Sequence, residues 1–292
     1  MSHLFQTYSR WNINIKKAKG TIVQDEKGNA YLDFVQGIAV CNLGHCPDSV
    51  TAALKKQLDD VWHVSNLFQN ELQEKVAQLL AKNSAGDLVF FCNSGAEANE
   101  GAVKLARKHT KKTKIVTFQQ SFHGRTYAGM AATGQEKIKH GFGPMLEGFH
   151  YLPYNEPKAF AELQDEKDIA AVMLEPIQGE GGVIPASREF LQSVQDFCEI
   201  SRLSLSLMKF KPESAAPVKH SDMNTKGCHP ISSPLRKGWA AVFRSERSSA
   251  KKSSQKRFRR APTARHSEGT CLRWLRQMPR WRPFLTEAFL KK

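Results

Sequence analysis

A chain of 292 residues with 40% hydrophobic and 24% charged side chains is long enough for one large or two ordinary domains and can bury a sizeable core, which excludes global disorder. Six cysteines over this length exclude a disulfide-stapled mini-fold, no apolar run approaches the roughly 18 residues of a membrane span, and residues 1–11 lack a signal-peptide core, so a reducing cytoplasm is expected. The net charge of +15 is unevenly placed: residues 1–200 hold 21 Lys and Arg against 23 Asp and Glu, whereas residues 201–292 hold 22 against 5.

In chain order, segment 20–35 predicts a β-hairpin, with Lys27-Gly28-Asn29 supplying the turn between apolar, β-branched arms. The spacing of Val50, Ala53, Leu54, Leu58, Val61 and Trp62 predicts a helix over 48–62, and that of Leu72, Val76, Leu79 and Leu80 a helix over 71–82. Residues 88–92 (LVFFC) read as a short buried strand that runs through Asn93-Ser94-Gly95 into a helix over 96–109. Lys114–Phe118 and Ile169–Leu174 are two further strands. Ser187 caps a helix from 188 to about 199, with Phe190, Val194 and Phe197 inward. Short strands alternating with amphipathic helices predict an α/β fold, a mostly parallel sheet flanked by helices on both faces. After about residue 203 this pattern stops. Residues 201–292 carry 13 serines, the run KKSSQKRFRR at 251–260 and almost no apolar periodicity, a composition that predicts a basic disordered segment.

Three segments carry chemistry. The run Asn93-Ser94-Gly95-Ala96-Glu97-Ala98-Asn99-Glu100 closes a strand and opens a helix. Free N–H groups, the positive end of the helix dipole, and the Ser94 hydroxyl beside a glycine there suit a phosphate. As plain structure, the same residues are a turn capped by Asn93 or Ser94. Next, Ser121-Phe122-His123-Gly124-Arg125-Thr126 follows a strand. An aromatic, a histidine and an arginine beyond strand ends fit a ring-stacking platform and a bidentate carboxylate clamp. Taken singly, Phe122 reads as ordinary packing and Arg125 as a solvated charge. The third segment, Glu175-Pro176-Ile177-Gln178-Gly179-Glu180-Gly181-Gly182, puts two carboxylates around a Gly-rich turn, where they could position a cofactor ring or pair with an arginine. The cluster Cys41-Asn42-Leu43-Gly44-His45-Cys46 has no second Cys/His pair spaced to complete a tetrahedral site, so no metal is expected.

In this order, YLDFVQGIAVCNLGH (31–45), FFCNSGAEANEGAVKLAR (90–107), SFHGRTYAGMAATG (121–134) and LEPIQGEGGV (174–183) resemble the class III pyridoxal-phosphate aminotransferases, over residues 20 to about 203. Within that family, the likeness is to members that take N2-acetylornithine as amino donor. The resemblance implies a type I aminotransferase fold, acting as a homodimer with active sites at its interface. It implies pyridoxal 5'-phosphate as cofactor, with Ser94, Gly95 and Ala96 at its phosphate and Phe122 stacked on its ring, His123 adjoining. Arg125 would hold the substrate α-carboxylate. Glu180 would pair with a downstream arginine, switching between amino-donor and oxo-acid substrates. The reaction implied passes the terminal amino group of N2-acetylornithine to 2-oxoglutarate in arginine biosynthesis, with ornithine or 4-aminobutyrate as alternative donors.

That chemistry also needs a lysine for the Schiff base and an aspartate beside the pyridine nitrogen. In the family they lie in Asp-Glu-Val-Gln and Lys-Gly-Leu-Gly segments, with a Thr-Phe-Gly-Gly segment later. None occurs here, so no catalytic residue is expected in frame. Codons built from the last base of one residue and the first two of the next recover all three. From LMKFKPESAAPVK (207–219) they permit Asp-Glu-Val-Gln-Thr-Gly-Ile-Gly-Arg-Thr-Gly-Lys, and the Glu is forced by Met208-Lys209. From RKGWAAVFRSER (236–247) they permit Lys-Gly-Leu-Gly-Gly-Gly-Phe-Pro-Val-Gly-Ala, and from 262–270 His-Gly-Thr-Thr-Phe-Gly-Gly-Asn. One constant offset thus predicts that everything beyond about residue 203 is read out of frame.

The expected organisation is therefore 1–47, an N-terminal segment with the hairpin; 48–203, part of a cofactor-binding large domain; and 204–292, basic, out of frame and disordered. A different class, nucleic-acid binding through Lys251–Arg260, is weakly supported because Phe258 is the only aromatic in that run. Small-molecule substrates, no membrane and no nucleic acid are the expectation.

Overall fold

The computed structural model describes residues 3–82 and 88–201 and, beyond them, the backbone of three strands at 204–207, 232–235 and 240–243. The chain opens with a three-stranded antiparallel sheet, β1 (Ile15–Lys19), β2 (Ile22–Asp25) and β3 (Ala30–Leu32). The β2–β3 hairpin is the expected one. Asp25 Oδ1 accepts from the main-chain N–H groups of Lys27 at 2.9 Å and Asn29 at 2.8 Å, and Gly28 takes a φ of +89°, which an L side chain rarely adopts.

A single distorted turn, α1 (Gln36–Ala39), leads to α2 (Asp48–Leu58) and α3 (Glu71–Lys82). Helix α2 stops short of the expected residue 62. Asp59 and Asp60 place two negative charges at the negative end of the helix dipole. The side chains of Gln57 and Trp62 donate to the carbonyls of Val61 and Leu58, both at 2.8 Å, so the chain end is tied down without a further turn. Val61 and Trp62 consequently stay exposed rather than joining an inner face.

The main sheet follows. Its strands are β4 (Leu88–Phe91), β5 (Lys114–Phe118), β6 (Phe149–Leu152), β7 (Ile169–Leu174), β10 (Ser204–Leu207), β11 (Ser232–Leu235) and β12 (Ala240–Phe243), in the order β4-β12-β11-β10-β7-β5-β6. Only β12 runs against its neighbours; the other six point the same way. The long helix α4 (Gly95–Thr110) joins β4 to β5; short helices α5 (Tyr127–Ala132) and α6 (Glu136–Lys139) precede β6; a 3-10 helix (Pro157–Leu163) precedes β7; a two-residue ladder of β8 (Ile177–Gln178) with β9 (Ile184–Pro185) follows it; and α7 (Arg188–Ile200) comes next.

Strand β7 is buried along its whole length, as its unbroken apolar run IAAVML requires of a strand covered on both faces. On one side Ile169, Val172 and Leu174 pack with Val116, Phe118, Phe160 and the α7 residues Phe190, Val194 and Cys198. On the other, Ala170, Ala171 and Met173 pack with Val103 and Ala106 of α4. Phe190 meets Phe118 and Tyr154 edge-on, each at a centroid distance of 5.1 Å.

Within 204–292, expected to be disordered, the twelve described residues are strand. β10 pairs in parallel with β7 from Ser204 opposite Ala171 to Leu207 opposite Leu174, and β12 lines up against β4. The rest of that expectation, including the basic run 251–260, lies outside the described residues. The Phe190 ring is the hub of the aromatic layer and fully buried. Phe190→Ala is therefore expected to destabilise the domain by about 3–5 kcal/mol, read as a shift in the urea midpoint at unchanged slope.

Candidate active site

Because six of the seven strands share a direction, the carboxyl ends of β4, β5 and β7 lie on one edge of the sheet. The three segments singled out in the sequence are the connections that leave those ends. This is the edge where open α/β sheets hold ligands.

At the end of β4 the chain enters α4 through a reciprocal cap. Ser94, extended at φ −152°, accepts from Glu97 N–H at 3.1 Å, while Glu97 Oε2 accepts from Asn93 N–H at 2.6 Å. The cap leaves the Gly95 and Ala96 N–H groups at the helix start, where no intrahelical acceptor exists. The Ser94 oxygen is occupied as an acceptor, but its hydroxyl hydrogen remains available to an anion.

At the end of β5, the 121–126 turn is anchored from three directions. Phe122 N–H donates to Glu175 Oε1 at 2.8 Å, His123 N–H to Thr133 Oγ1 at 2.9 Å, and Asn99 Nδ2 to the His123 carbonyl at 2.6 Å. Gly124, at φ +131°, packs directly on the start of α4: a Cβ there would sit 3.4 Å from Ala96 Cβ. On its other side, Gly129 of α5 is equally close, a Cβ on it lying 3.1 Å from Gly124 Cα. Thr126 adds a hydrogen bond to Glu100 of α4 at 2.7 Å.

At the end of β7, Glu175 is buried and its carbonyl accepts from Tyr154 O–H at 2.8 Å. Burial, and next the negative charge of Glu175, push the Tyr154 phenol upward, so it stays protonated and donates. Gln178 Nε2 reaches the Gln119 carbonyl at 2.8 Å, and a Cβ on Gly181 would meet the Gln120 carbonyl at 2.8 Å. The glycine after Glu180 thus presses its loop against the start of the β5 turn.

These contacts bring the main chain of the 121–126 turn against the start of α4, where Gly124 meets Ala96, with Glu180 on the loop that adjoins the turn; Phe122 is half-buried, while Arg125 and Glu180 are exposed. His123 departs from the expectation. Its ring is buried with Nε2 2.8 Å from Thr117 Oγ1, and Thr117 in turn donates to the Ala132 carbonyl at 2.9 Å. The His123 side chain enters the core, while its neighbours Phe122 and Arg125 are half-buried and exposed. Glu175 likewise serves the turn rather than a ligand through the oxygen that Phe122 occupies. His45 pairs with Asp33 at 2.7 Å, and among the described residues no group of three ligands gathers around the cysteines beside it. Asn99 and the Thr126–Glu100 pair were not singled out in the sequence; only the placement of a polar residue inside the apolar stripe of α4 hints at the former.

The residues present fit the phosphate and ring of pyridoxal phosphate. Two helix-terminal N–H groups and a hydroxyl stand where a glycine with no side chain lets the aromatic turn approach. Arg125 follows on the same turn with a fork suited to a carboxylate. A lysine and an aspartate for the rest of the cofactor are not among these segments.

Burial pushes the His123 imidazole down to about 3. The unfolded chain takes up a proton near the ordinary value of 6.5, so this group's contribution is complete above pH 6.5 and is lost as pH falls toward 3. Between about pH 6.5 and 4.5, above the carboxylate range, stability should fall by up to about 1.4 kcal/mol per pH unit. His123→Asn should flatten that limb in denaturant titrations.

The Aminotransferase class-III family model matches residues 6–204. Over 199 residues the chain is 76% identical to acetylornithine aminotransferase of Bacillus amyloliquefaciens, an alignment covering 68% of this chain and 87% of that one. It is 76% identical to the acetylornithine aminotransferase of Bacillus subtilis (strain 168), again over 68% of this chain but 52% of the relative; the chain thus spans about half the length of that and several other curated relatives. N-acetylornithine aminotransferase from Stenotrophomonas maltophilia K279a superposes with a TM-score of 0.76 at 29% identity, covering 97% of this chain and 71% of that one. The ornithine aminotransferase from Toxoplasma gondii shares the fold, with a TM-score of 0.80 at 24% identity over 97% of this chain and 68% of that one. The match of two thirds of its length to one family, with that family's architecture, makes this chain a member of the class III aminotransferases, the transaminases that use pyridoxal phosphate.

Proposed function

We propose that the gene encodes an enzyme moving the terminal amino group of N2-acetylornithine to 2-oxoglutarate, and that the chain as written holds the cofactor without turning over. The observation that carries the first part is the contact of Gly124 with Ala96, which holds the turn bearing Phe122 and Arg125 against the start of α4. The identity to acetylornithine aminotransferases supports this amino donor over ornithine or 4-aminobutyrate.

Pyridoxal phosphate, when bound, supplies the electron sink through which an amino group is exchanged for a carbonyl oxygen. The chain's own contribution is binding and orientation. Ser94, Gly95 and Ala96 fix the phosphate, Phe122 covers one face of the ring, Arg125 holds the substrate carboxylate, and Glu180 stands ready on the neighbouring loop. A proton must also move at the reacting carbon, the work of the family's lysine. The Lys-Gly-Leu-Gly segment that carries that lysine in the family does not occur in this sequence.

A reading-frame change near residue 203 accounts for this deficit. The family match ends at residue 204, where the charge balance breaks and the apolar periodicity ends. The topology supports it too. In the alternative frame the aspartate codon spans Leu207 and Met208, at the carboxyl end of β10, and the lysine codon spans Arg236 and Lys237, after β11. Both strands run parallel beside β7, so both residues would fall on the edge that carries Gly95 and Phe122.

A second copy of the chain is the proposed partner, and the compartment the cytoplasm. Phe5, Trp11, Phe34, Leu67 and Phe68 are each about two-thirds or more solvent-exposed in the single chain, apolar surface that a second copy would cover. The central experiment is a DNA read across codons 199–207, followed by insertion of one base to restore the frame. The restored protein is expected to transfer amino groups from N2-acetylornithine, and the chain as written to give none above background. An undisturbed frame in the DNA, or turnover by the chain as written, contradicts the proposal.

A further inference from the structure

We infer that Asn99 is a positioning residue that locks the ring-stacking turn onto the phosphate-binding helix; the inference rests on the cofactor reading proposed above. Asn99 sits on α4 five residues after its cap and is 2% exposed. Asparagine is a poor interior helix residue, and burying its amide is unfavourable unless the amide is used. Nδ2 is used: it donates to the His123 carbonyl at 2.6 Å, across 24 residues of sequence. Oδ1 has no hydrogen-bond partner among the described residues. The amide is therefore retained for one bond, and that bond joins two parts of the site.

The position of its acceptor decides what the bond does. The His123 carbonyl precedes Gly124, whose φ of +131° bends the chain where its main chain lies against Ala96. The His123 N–H is on Thr133 and its ring on Thr117; the Asn99 bond adds a hold that comes from α4. Without it, the peptide between His123 and Gly124 is less restrained, because glycine imposes little barrier to rotation. Phe122 then loses its fixed height over the helix start. Asn99 touches neither phosphate nor ring. It acts through the turn.

Two measurements on the full chain test this. Hydrogen exchange needs no cofactor: in Asn99→Ala, the amides of residues 123–125 are expected to exchange at least about tenfold faster, with β5 and β7 unchanged. Equilibrium dialysis against pyridoxal phosphate then compares Asn99→Ala, Phe122→Ala and the double variant. Each single change is expected to weaken binding about tenfold, and the double variant to bind as Phe122→Ala does, because the two act on one contact. Asn99→Leu, which fills the space and cannot donate, replaces the alanine variant should that fail to fold. Unchanged exchange at 123–125, or losses that simply multiply in the double variant, overturns the inference. Absence of binding by the parent chain overturns the cofactor reading instead, and the exchange comparison still decides whether Asn99 holds the turn.

Discussion

The site depends on a backbone bend that favours glycine. Gly124 takes φ +131°, which L side chains rarely adopt, and its main chain packs on Ala96 at the start of α4, while on the other side a Cβ on Gly129 of α5 would lie only 3.1 Å from Gly124 Cα. That contact converts two separate connections, one leaving β4 and one leaving β5, into a single concave edge. The parallel sheet brings the connections to the same side of the molecule, but strand direction alone would leave the helix start and the aromatic turn as neighbours without a fixed separation. The packing of Gly124 on Ala96 sets it.

Around that contact the polar groups fall into two kinds. Asn99, Thr117, Thr133 and Glu175 are buried and spend their hydrogen bonds on the turn itself. Gly95 and Ala96 N–H, the Ser94 hydroxyl hydrogen, Arg125 and Glu180 face outward. The arrangement suits a ligand with a phosphate at one end and a carboxylate near the other. A helix start favours negative charge, and the arginine fork accepts a second anion without competing for the first.

Much of this was legible in the sequence because burial leaves plain marks. β5 and β7 lie where KIVTF and IAAVML place them, since strands covered on both faces are continuous apolar runs. The Ser94 and Ser187 caps follow from a small oxygen-bearing residue ahead of a helical stripe. Helix α2 was over-extended because Val61 and Trp62 keep the helical period while the chain has already turned. β1 leaves no apolar mark because IKKAK carries three lysines on an exposed strand, and β6 because FHYL lacks the unbroken apolar run that marks β4. Position alone puts His123 beside Phe122 and Arg125, and only the packed structure shows its ring buried against Thr117. Asn99 was unreadable for a different reason: its partner lies 24 positions along the chain, and no local pattern encodes that contact.

The proposed cradle for phosphate and ring lies in residues 93–126, and the proposed lysine is carried by another reading frame. The most direct test is to saturate the purified chain with pyridoxal phosphate, treat one half with borohydride, and weigh both halves by intact mass spectrometry after denaturation. Saturable binding that dialysis reverses, with no mass added by borohydride, is the predicted result, since a reducible covalent link needs a lysine aimed at the cofactor carbonyl. A stoichiometric cofactor adduct on any lysine, Lys237 included, contradicts it.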